Sequence, residues 1–202
     1  MNNTPKINGA TKLTTSSFLN LYEMDVQHRD GAASKYHVAS RAKSTNDLVA
    51  ISGKVKPNAV AILSMLENKL VLIKQYRYPV GDYIYELPAG LIDEGEDAIA
   101  AAKREMFEET GLEFVPSESQ LLNKPLFSSP GMTDETCSIV VGQCYGAPTN
   151  INQEASEDIE VVLADREEAV RILSTEAIDM RAAFTLISHF NLFKTNNVEV
   201  FP

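Results

Sequence analysis

The chain has 202 residues, of which 44% are hydrophobic, so it is long enough to bury the core of one domain with a small extension. Its formal net charge of −10 argues against nucleic acid as a partner, because nucleic-acid binding needs a basic surface. The polar start carries no signal peptide, and no apolar run approaches the roughly 20 residues of a membrane helix, so we expect a cytoplasmic protein without a membrane partner.

The predicted elements mix strands and helices without regular βαβ repeats. Residues 1–16 are predicted to be a flexible tail, 17–56 an N-terminal β extension and 57–202 the main domain. In chain order, strands are predicted at 18–27, 36–42, 48–55, 59–65, 69–75, 83–87, 122–127, 136–145 and 158–163. Helices are predicted at 97–110, 164–173 and 180–193. This interleaving favours an α/β sandwich with a mixed sheet over a doubly wound fold.

Two cysteines, Cys137 and Cys144, fall in one predicted strand. Their separation is odd, so their side chains are expected on opposite faces of that strand. A disulfide between them is therefore not expected, and both are predicted to be reduced thiols of the core.

Residues 90–112 are the most informative segment. They fit every position of the pattern G-x5-E-x7-R-E-U-x-E-E-x-G-U, in which U is a bulky apolar residue. The alanine-rich part, 97–110, has no internal glycine or proline, which predicts a helix. Acidic residues crowd the predicted start of this helix, and Gly111 stands where helices commonly end in a left-handed residue.

Three glutamates share one face of this predicted helix, since Glu105, Glu108 and Glu109 are spaced i, i+3 and i+4. Carboxylates so near to one another disfavour joint ionisation, and the single Arg104 balances only part of their charge. A divalent cation over this face accounts for the arrangement, because Mg²⁺ binds through a few carboxylates while keeping waters and substrate phosphates. For three glutamates alone a solvated acidic face is the alternative, but the complete pattern favours a metal site.

The pattern resembles the box of the Nudix hydrolases, and four flanking segments resemble their ADP-ribose pyrophosphatase branch. These are Gln75-Tyr76-Arg77-Tyr78-Pro79, Glu86-Leu87-Pro88-Ala89-Gly90, Ser129-Pro130-Gly131-Met132 and Glu157-Asp158-Ile159. The similarity runs from about residue 18 to residue 193. It implies a Nudix-type α/β/α sandwich with a mixed β-sheet, preceded by a small N-terminal antiparallel β extension that is exchanged within a homodimer.

The resemblance also implies metal ligands and catalytic groups. The metal ligands would be the carbonyl oxygen of Ala89 and the carboxylates of Glu105, Glu108 and Glu109, holding two or three ions of Mg²⁺, with Mn²⁺ as the alternative. Glu157 is expected to act as the base that takes a proton from the attacking water, with Glu108 or Glu109 as alternatives. Glu154 is the alternative to Glu157 as this base if the acidic loop aligns differently with the loop of the family. Arg104 would orient the glutamates, supported by Glu96 from the preceding loop.

The substrate residues implied by the resemblance lie outside the box. Phe18 and Tyr36 match positions that stack on adenine, Arg41 and Arg77 match arginines that contact the nucleotide, and Met132 matches an apolar residue beside the substrate ribose. Phe18 and Tyr36 could instead fill a hairpin core or dimer seam, and the absence of tryptophan implies a weaker or differently shaped platform. Arg77 on an apolar strand needs a partner if buried, and a phosphate-bearing ligand is favoured over a structural ion pair.

The expected reaction is Mg²⁺-dependent hydrolysis of the pyrophosphate bond of a nucleoside diphosphate sugar. ADP-ribose, cleaved to AMP and ribose 5-phosphate, is the first choice of substrate. A Nudix hydrolase for a GDP-sugar or another nucleoside diphosphate derivative is the alternative. A non-catalytic module that senses ADP-ribose is less favoured because the glutamate set is intact, and an RNA-processing Nudix enzyme is disfavoured by the acidic charge balance.

Overall fold

The computed structural model of the chain describes residues 4–153 and 157–193. The chain divides into two compact units. The first unit holds Met1–Asn58 and Lys124–Cys137, and the second holds Ala59–Asn123 and Ser138–Pro202. Segment 124–137 was predicted to belong to the main domain. It joins the first unit through long-range hydrogen bonds, such as that from the Ala39 amide to the Met132 carbonyl (2.9 Å), which no local pattern indicates.

The described residues contain eleven strands and four α-helices. The strands are β1 (Lys6–Lys12), β2 (Asn20–Gln27), β3 (Ala33–Ser40), β4 (Ala59–Leu66), β5 (Lys69–Arg77), β6 (Asp82–Glu86), β7 (Ala89–Leu91), β8 (Glu113–Pro116), β9 (Leu126–Phe127), β10 (Thr136–Tyr145) and β11 (Ile159–Ala164). The helices are α1 (Val49–Ser52), α2 (Ala98–Thr110), α3 (Arg166–Thr175) and α4 (Met180–His189). The predicted α/β class, with a mixed sheet and a small antiparallel N-terminal sheet, is confirmed.

The first unit is built on an antiparallel sheet in the order β1-β2-β3. Tyr22 and Met24 alternate along β2 and point to the same face, where they pack with Val38 and Leu48. Between β2 and β3 the chain turns at Gly31, whose φ of 92° is in the left-handed region. Burial of these apolar side chains on one face fixes the register of the sheet.

Strand β1 occupies residues 6–12 of the segment 1–16 that was predicted to be a flexible tail. Lys6–Lys12 mixes polar residues with Ile7 and carries no clear alternation of polar and apolar residues, so its pattern does not predict a strand. Its order comes from antiparallel pairing with β2, in which Lys6 is opposite Gln27 and Lys12 is opposite Tyr22.

Helix α1 corrects the prediction of a strand over 48–55. The apolar run there is short, and such runs fit either type of element. The Asp134 carboxylate accepts a hydrogen bond from the Val49 amide (3.1 Å) at the start of the helix. Gly53, with a φ of 66°, ends it. The partner that stabilises this helix lies 85 residues away in the chain, beyond the reach of a local pattern.

The second unit is built on strands that follow the order β11-β5-β4-β10-β8, with β6 paired to β5 and β7 paired to β4. The predicted hairpin between β4 and β5 is confirmed. Its two turn residues, Glu67 and Asn68, both have positive φ, as a tight two-residue hairpin turn requires. The short strands β7 and β8 were not predicted, and the strand predicted at 122–127 is reduced to the two residues of β9.

The core of the second unit forms where the small side chains of α2 meet the apolar face of the sheet. The buried residues include Val60, Ile62, Val71, Ala98, Ala101, Ala102 and Met106. Alanines let the helix backbone approach the strands closely, and each buried valine or isoleucine contributes about 1.5–3 kcal/mol relative to exposure. Helix α2 is thereby held in one fixed orientation on the sheet of its own unit.

Cys137 and Cys144 on β10 are buried thiols, as predicted. None of the helices in the described ranges combines the length and the hydropathy that a bilayer crossing requires.

Candidate active site

Helix α2 of the second unit carries the acidic face predicted from the sequence. The Asp97 carboxylate accepts hydrogen bonds from the amides of Ile99 and Ala100 and so caps the first turn. Gly111, with a φ of 71°, ends the helix. Glu105 and Glu109 lie one turn apart on the side of the helix that is buried, and Glu108 is partly exposed.

Glu109 is a buried carboxylate, with only 1% of its surface exposed. Its Oε2 accepts a hydrogen bond from the Ala89 amide (3.0 Å) at the start of β7. Within the described residues no basic side chain lies within ion-pair distance of it. Burial raises the pKa of Glu109 well above its ordinary value, and the nearby charge of Glu105 raises this pKa further. A cation placed beside it would offset that cost.

Arg104 holds three of the carboxylates at once. Its guanidinium donates to both oxygens of Glu96 (3.1 and 2.9 Å), to Glu105 Oε1 (2.8 Å) and to Glu108 Oε2 (3.0 Å). It also donates to the Leu91 carbonyl (2.9 Å). The hydrogen bond with Arg104 lowers the pKa of Glu96. The pKa of Glu105 is raised, because its burial outweighs the opposing effect of Arg104. Arg104 thus contacts Glu96, Glu105 and Glu108 in the structure, and its role in orienting them stays a prediction.

Gly90 is required by the position of Glu105. A Cβ atom at residue 90 would lie 1.9 Å from both Cδ and Oε1 of the Glu105 carboxyl group. Real Cβ contacts are never that short, so any larger residue would displace the carboxylate. This close approach explains why the glycine and the glutamate occur together in the sequence pattern.

The donors gathered here fit a hard divalent cation. They are all oxygens, they include two buried carboxylates one turn apart, and among the described residues no basic side chain forms an ion pair with Glu109. In residues 4–153 and 157–193, no three acidic, histidine or cysteine side chains converge closely enough to enclose an ion. In this arrangement Glu105 and Glu108 are both paired with Arg104.

Glu157 lies at the start of the chain segment that leads into β11. Its charge raises the pKa of Glu105 and that of Glu109, so it is close enough to both carboxylates to interact with them electrostatically. The Gln153 side chain donates to the carbonyls of Glu109 (2.9 Å) and Ile159 (3.1 Å), which connects this segment to the end of α2. Glu154, the alternative base, lies outside the described residues.

Arg77 forms an ion pair within the fold, which the sequence analysis did not favour. Its Nε and Nη2 atoms donate to the two oxygens of Glu86, at 2.6 and 2.8 Å. The Glu86 side chain is 4% exposed and that of Arg77 is 39% exposed. Among the described residues, these two bonds engage Nε and Nη2 and leave Nη1 for another acceptor. On the same strand face, the buried Gln75 Oε1 has no hydrogen-bond partner in the described part of the chain.

The first unit places the other predicted substrate residues. The Tyr36 hydroxyl donates to the Gly131 carbonyl (2.7 Å), so this ring lies beside the Pro-Gly turn that also carries Met132. Arg41 donates to Glu135 (2.6 Å), a partner that the sequence analysis missed. Phe18 precedes β2 and is 74% exposed. The structure therefore brings Tyr36 to the Met132 turn and gives Arg41 an acidic partner.

A family model described as NUDIX domain matches residues 55–185 of this chain, which is more than half of its length. The chain belongs to the NUDIX family. This is the family that the box at 90–112 resembles.

Comparisons with other members support the predicted branch. This Nudix chain is 45% identical over 102 residues to a nudix hydrolase of Caenorhabditis elegans, an alignment that covers 48% of this chain and 45% of that one. The chain thus spans about half the length of that relative. It is 28% identical over 181 residues to the ADP-ribose pyrophosphatase of Bacillus subtilis, which covers 87% and 86% of the two chains. The crystal structure of an ADP compounds hydrolase has the same fold, with a TM-score of 0.70, 21% identity and 96% coverage of both chains.

Proposed function

We propose that this Nudix hydrolase cleaves the pyrophosphate bond of ADP-ribose with Mg²⁺, giving AMP and ribose 5-phosphate. The observation that carries the proposal is the pair of buried glutamates on α2, of which Glu109 lacks a charge partner among the described residues. The choice of substrate is supported by the ADP-ribose pyrophosphatase of Bacillus subtilis, which aligns with 87% of this chain.

The metal would be held by Glu105, Glu108, Glu109 and the carbonyl oxygen of Ala89. When bound, Mg²⁺ neutralises phosphate charge and polarises the phosphorus toward attack by water. The remaining work falls to the protein. Arg104 fixes the directions of Glu105 and Glu108 through its hydrogen bonds, and the Ala89 amide fixes Glu109. Preorganised groups of this kind stabilise the transition state because they need not reorient during the reaction.

Glu157 would take the proton from the attacking water. A general base must be unprotonated and within hydrogen-bond reach of the water. The electrostatic effect of Glu157 on Glu105 and Glu109 supports a position close to the carboxylates. Glu108, which is partly exposed, and Glu109 are the alternative bases.

Arg77 would bind a phosphate oxygen of the substrate. Its pair with Glu86 holds the guanidinium plane in one orientation, and Nη1 remains for a ligand. Gln75 Oε1 on the same strand face, which has no hydrogen-bond partner among the described residues, is an acceptor suited to a ribose hydroxyl. Both groups support a ligand with negative oxygens and hydroxyl groups.

In the first unit, Phe18 and Tyr36 would stack on adenine, Arg41 would contact the nucleotide, and Met132 would lie beside the substrate ribose. We propose in addition that the protein is a homodimer that exchanges its N-terminal β extension. The exposure of Phe18 and of the Tyr36 ring supports both roles, since exposed aromatic side chains are suited to stacking and to interfaces.

A panel of nucleotide sugars tests the substrate. ADP-ribose, ADP-glucose and GDP-mannose are incubated with the protein and Mg²⁺, and phosphatase releases phosphate only from the monoester products. We expect the highest kcat/KM for ADP-ribose, with AMP and ribose 5-phosphate as the two products. A higher kcat/KM for GDP-mannose would overturn the substrate, and no hydrolysis of any compound with Mg²⁺ would overturn the reaction.

A further inference from the structure

Three tyrosines of the second unit line a cavity of about 270 Å³ together with Asp158. Tyr76 on β5 meets the ring of Tyr83 on β6 at a centroid distance of 5.3 Å and an angle of 74°. Tyr78, just past the end of β5, meets the same ring of Tyr76 at 5.4 Å and 83°. The two neighbours therefore stand nearly perpendicular to Tyr76 and form the walls of a small cage.

This cage is on the opposite face of β5 from Arg77 and Glu86. Successive side chains of a strand point to opposite faces, and residues directly opposite in an antiparallel pair share a face. Tyr76 pairs with Tyr83, whereas Glu86 pairs with Ile73, which is three residues from Tyr76 and so on the other face. None of the groups proposed for hydrolysis lines this cavity.

The cage has an acidic wall that is fixed by hydrogen bonds. The Asp158 carbonyl accepts from the Tyr76 amide (3.2 Å), and its carboxylate accepts from the Tyr83 hydroxyl. These two bonds join the start of β11 to both tyrosine-bearing strands. The carboxylate thus remains beside the rings.

The chemistry of the lining favours a cation. Aromatic faces carry negative charge density and attract cations, and Asp158 adds a full negative charge. The ammonium group of Lys74 already lies over two tyrosine rings of strand β6, 5.9 Å from the centroid of Tyr83 and 5.4 Å from that of Tyr85. Glu160 is opposite Lys74 in the β11–β5 pair, which places a carboxylate on the same face of the sheet.

The aromatic lining, which holds a single carboxylate, favours a cation that needs no hydrogen-bond acceptor. A primary ammonium has three N–H donors that each need an acceptor, whereas a quaternary ammonium has none. Asp158 is the one carboxylate of the lining, and Tyr83 already donates to it. Rings at right angles are suited to methyl groups on nitrogen, which touch several ring faces at once.

We propose that Tyr76, Tyr78, Tyr83 and Asp158 form a second ligand site of this chain, which binds a small soluble quaternary ammonium compound of the choline type. Binding there involves no bond making or breaking. It can be measured without turnover, so its outcome is independent of the hydrolase reaction.

Choline titration followed by proton NMR tests the site. We expect a saturable upfield shift of the choline methyl protons, because they would lie over ring faces. The compound 3,3-dimethyl-1-butanol has the same shape without the charge and is expected to show no saturable shift. Equal binding of both compounds would show a merely apolar cavity, and the absence of a choline shift would refute the site.

Tyr78→Ala is the test variant, because Tyr78 is 82% exposed and its loss leaves the strands intact. The matched control is Tyr145→Ala, which removes another exposed tyrosine of the same unit from outside the cage. We expect Tyr78→Ala to weaken choline binding about fivefold, in keeping with one partly exposed ring, and Tyr145→Ala to leave it unchanged. Equal affinities in the two variants would overturn the proposal.

Phosphatidylcholine vesicles separate a free ligand from a lipid headgroup. We expect the protein to bind choline and to stay in the supernatant when such vesicles are sedimented. Sedimentation with the vesicles in the absence of choline binding would overturn the proposal of a small soluble ligand.

Discussion

Replacing Arg77 by methionine separates a structural role of this arginine from a role in substrate binding. Methionine keeps most of the apolar stem but leaves the Glu86 carboxylate, which is 4% exposed, without its cation. Removing one partner of a buried ion pair typically costs about 3–5 kcal/mol. The Arg77 side chain is 39% exposed, so solvent screens part of this interaction, and we expect a loss of about 2–3 kcal/mol in the free energy of unfolding.

The double variant Arg77→Met with Glu86→Gln removes the unpaired charge as well. We expect it to recover most of the lost stability, because a neutral amide is much less costly to bury than a lone carboxylate. Urea unfolding of the wild type, both single variants and the double variant gives the four free energies of this cycle. An unchanged free energy of unfolding in Arg77→Met, or no recovery in the double variant, would refute the reasoning.

Turnover of the same four proteins then tests substrate binding. If Nη1 of Arg77 binds phosphate, the stable double variant still lacks that contact, and its kcat/KM for ADP-ribose is expected to fall by about 100-fold. Recovery of activity together with stability would assign Arg77 a structural role alone.

Three further predictions concern the glycines, the buried carboxylate and the N-terminal extension. Gly90→Ala is expected to lower turnover at least about 100-fold with little change in melting temperature, because its Cβ displaces the flexible end of Glu105. The matched control is Gly142→Ala, whose Cβ would lie 2.4 Å from a backbone carbonyl oxygen and which is expected to lower the melting temperature instead. A lower melting temperature in Gly90→Ala, together with an unchanged one in Gly142→Ala, would contradict this prediction. Glu109→Gln is expected to abolish nearly all turnover yet to raise the melting temperature of the metal-free protein at neutral pH. Because the pKa of Glu109 is raised in the folded protein, the free energy of unfolding falls as pH rises from the unfolded pKa to the folded pKa, and glutamine removes that loss. Near-normal turnover of Glu109→Gln, or a lower melting temperature, would contradict this prediction. The protein is expected to sediment as a dimer at micromolar concentration through residues 18–42, and a monomer would argue against an exchanged extension.

The elements with strong local signals could be predicted from the sequence. Helix α2 has its alanines, its Asp97 cap and its terminal Gly111, and all three signals lie within a few turns of one another. The β4–β5 hairpin likewise combines two apolar runs with a turn. Such features need no information from distant parts of the chain.

The elements that were missed depend on distant partners. Strand β1 is ordered by pairing with β2, and α1 begins where Asp134 accepts from the Val49 amide. The ion pair of Arg77 follows the same rule. Glu86 was noted in the sequence, but its contact with Arg77 appears only in the three-dimensional pairing of β5 and β6.

The contacts of Arg104 have a consequence for how this protein meets its metal. The Arg104 guanidinium acts as an internal counter-ion, so Glu96, Glu105 and Glu108 are hydrogen-bonded before any ion arrives, although its single charge balances only part of theirs. Folding is then expected to be independent of the metal supply, unlike that of small domains that unfold when a chelator removes their ion. An arriving cation must compete with Arg104 for two of the carboxylates. That competition lowers the net affinity, and the ion is therefore expected to exchange readily with the surrounding solution.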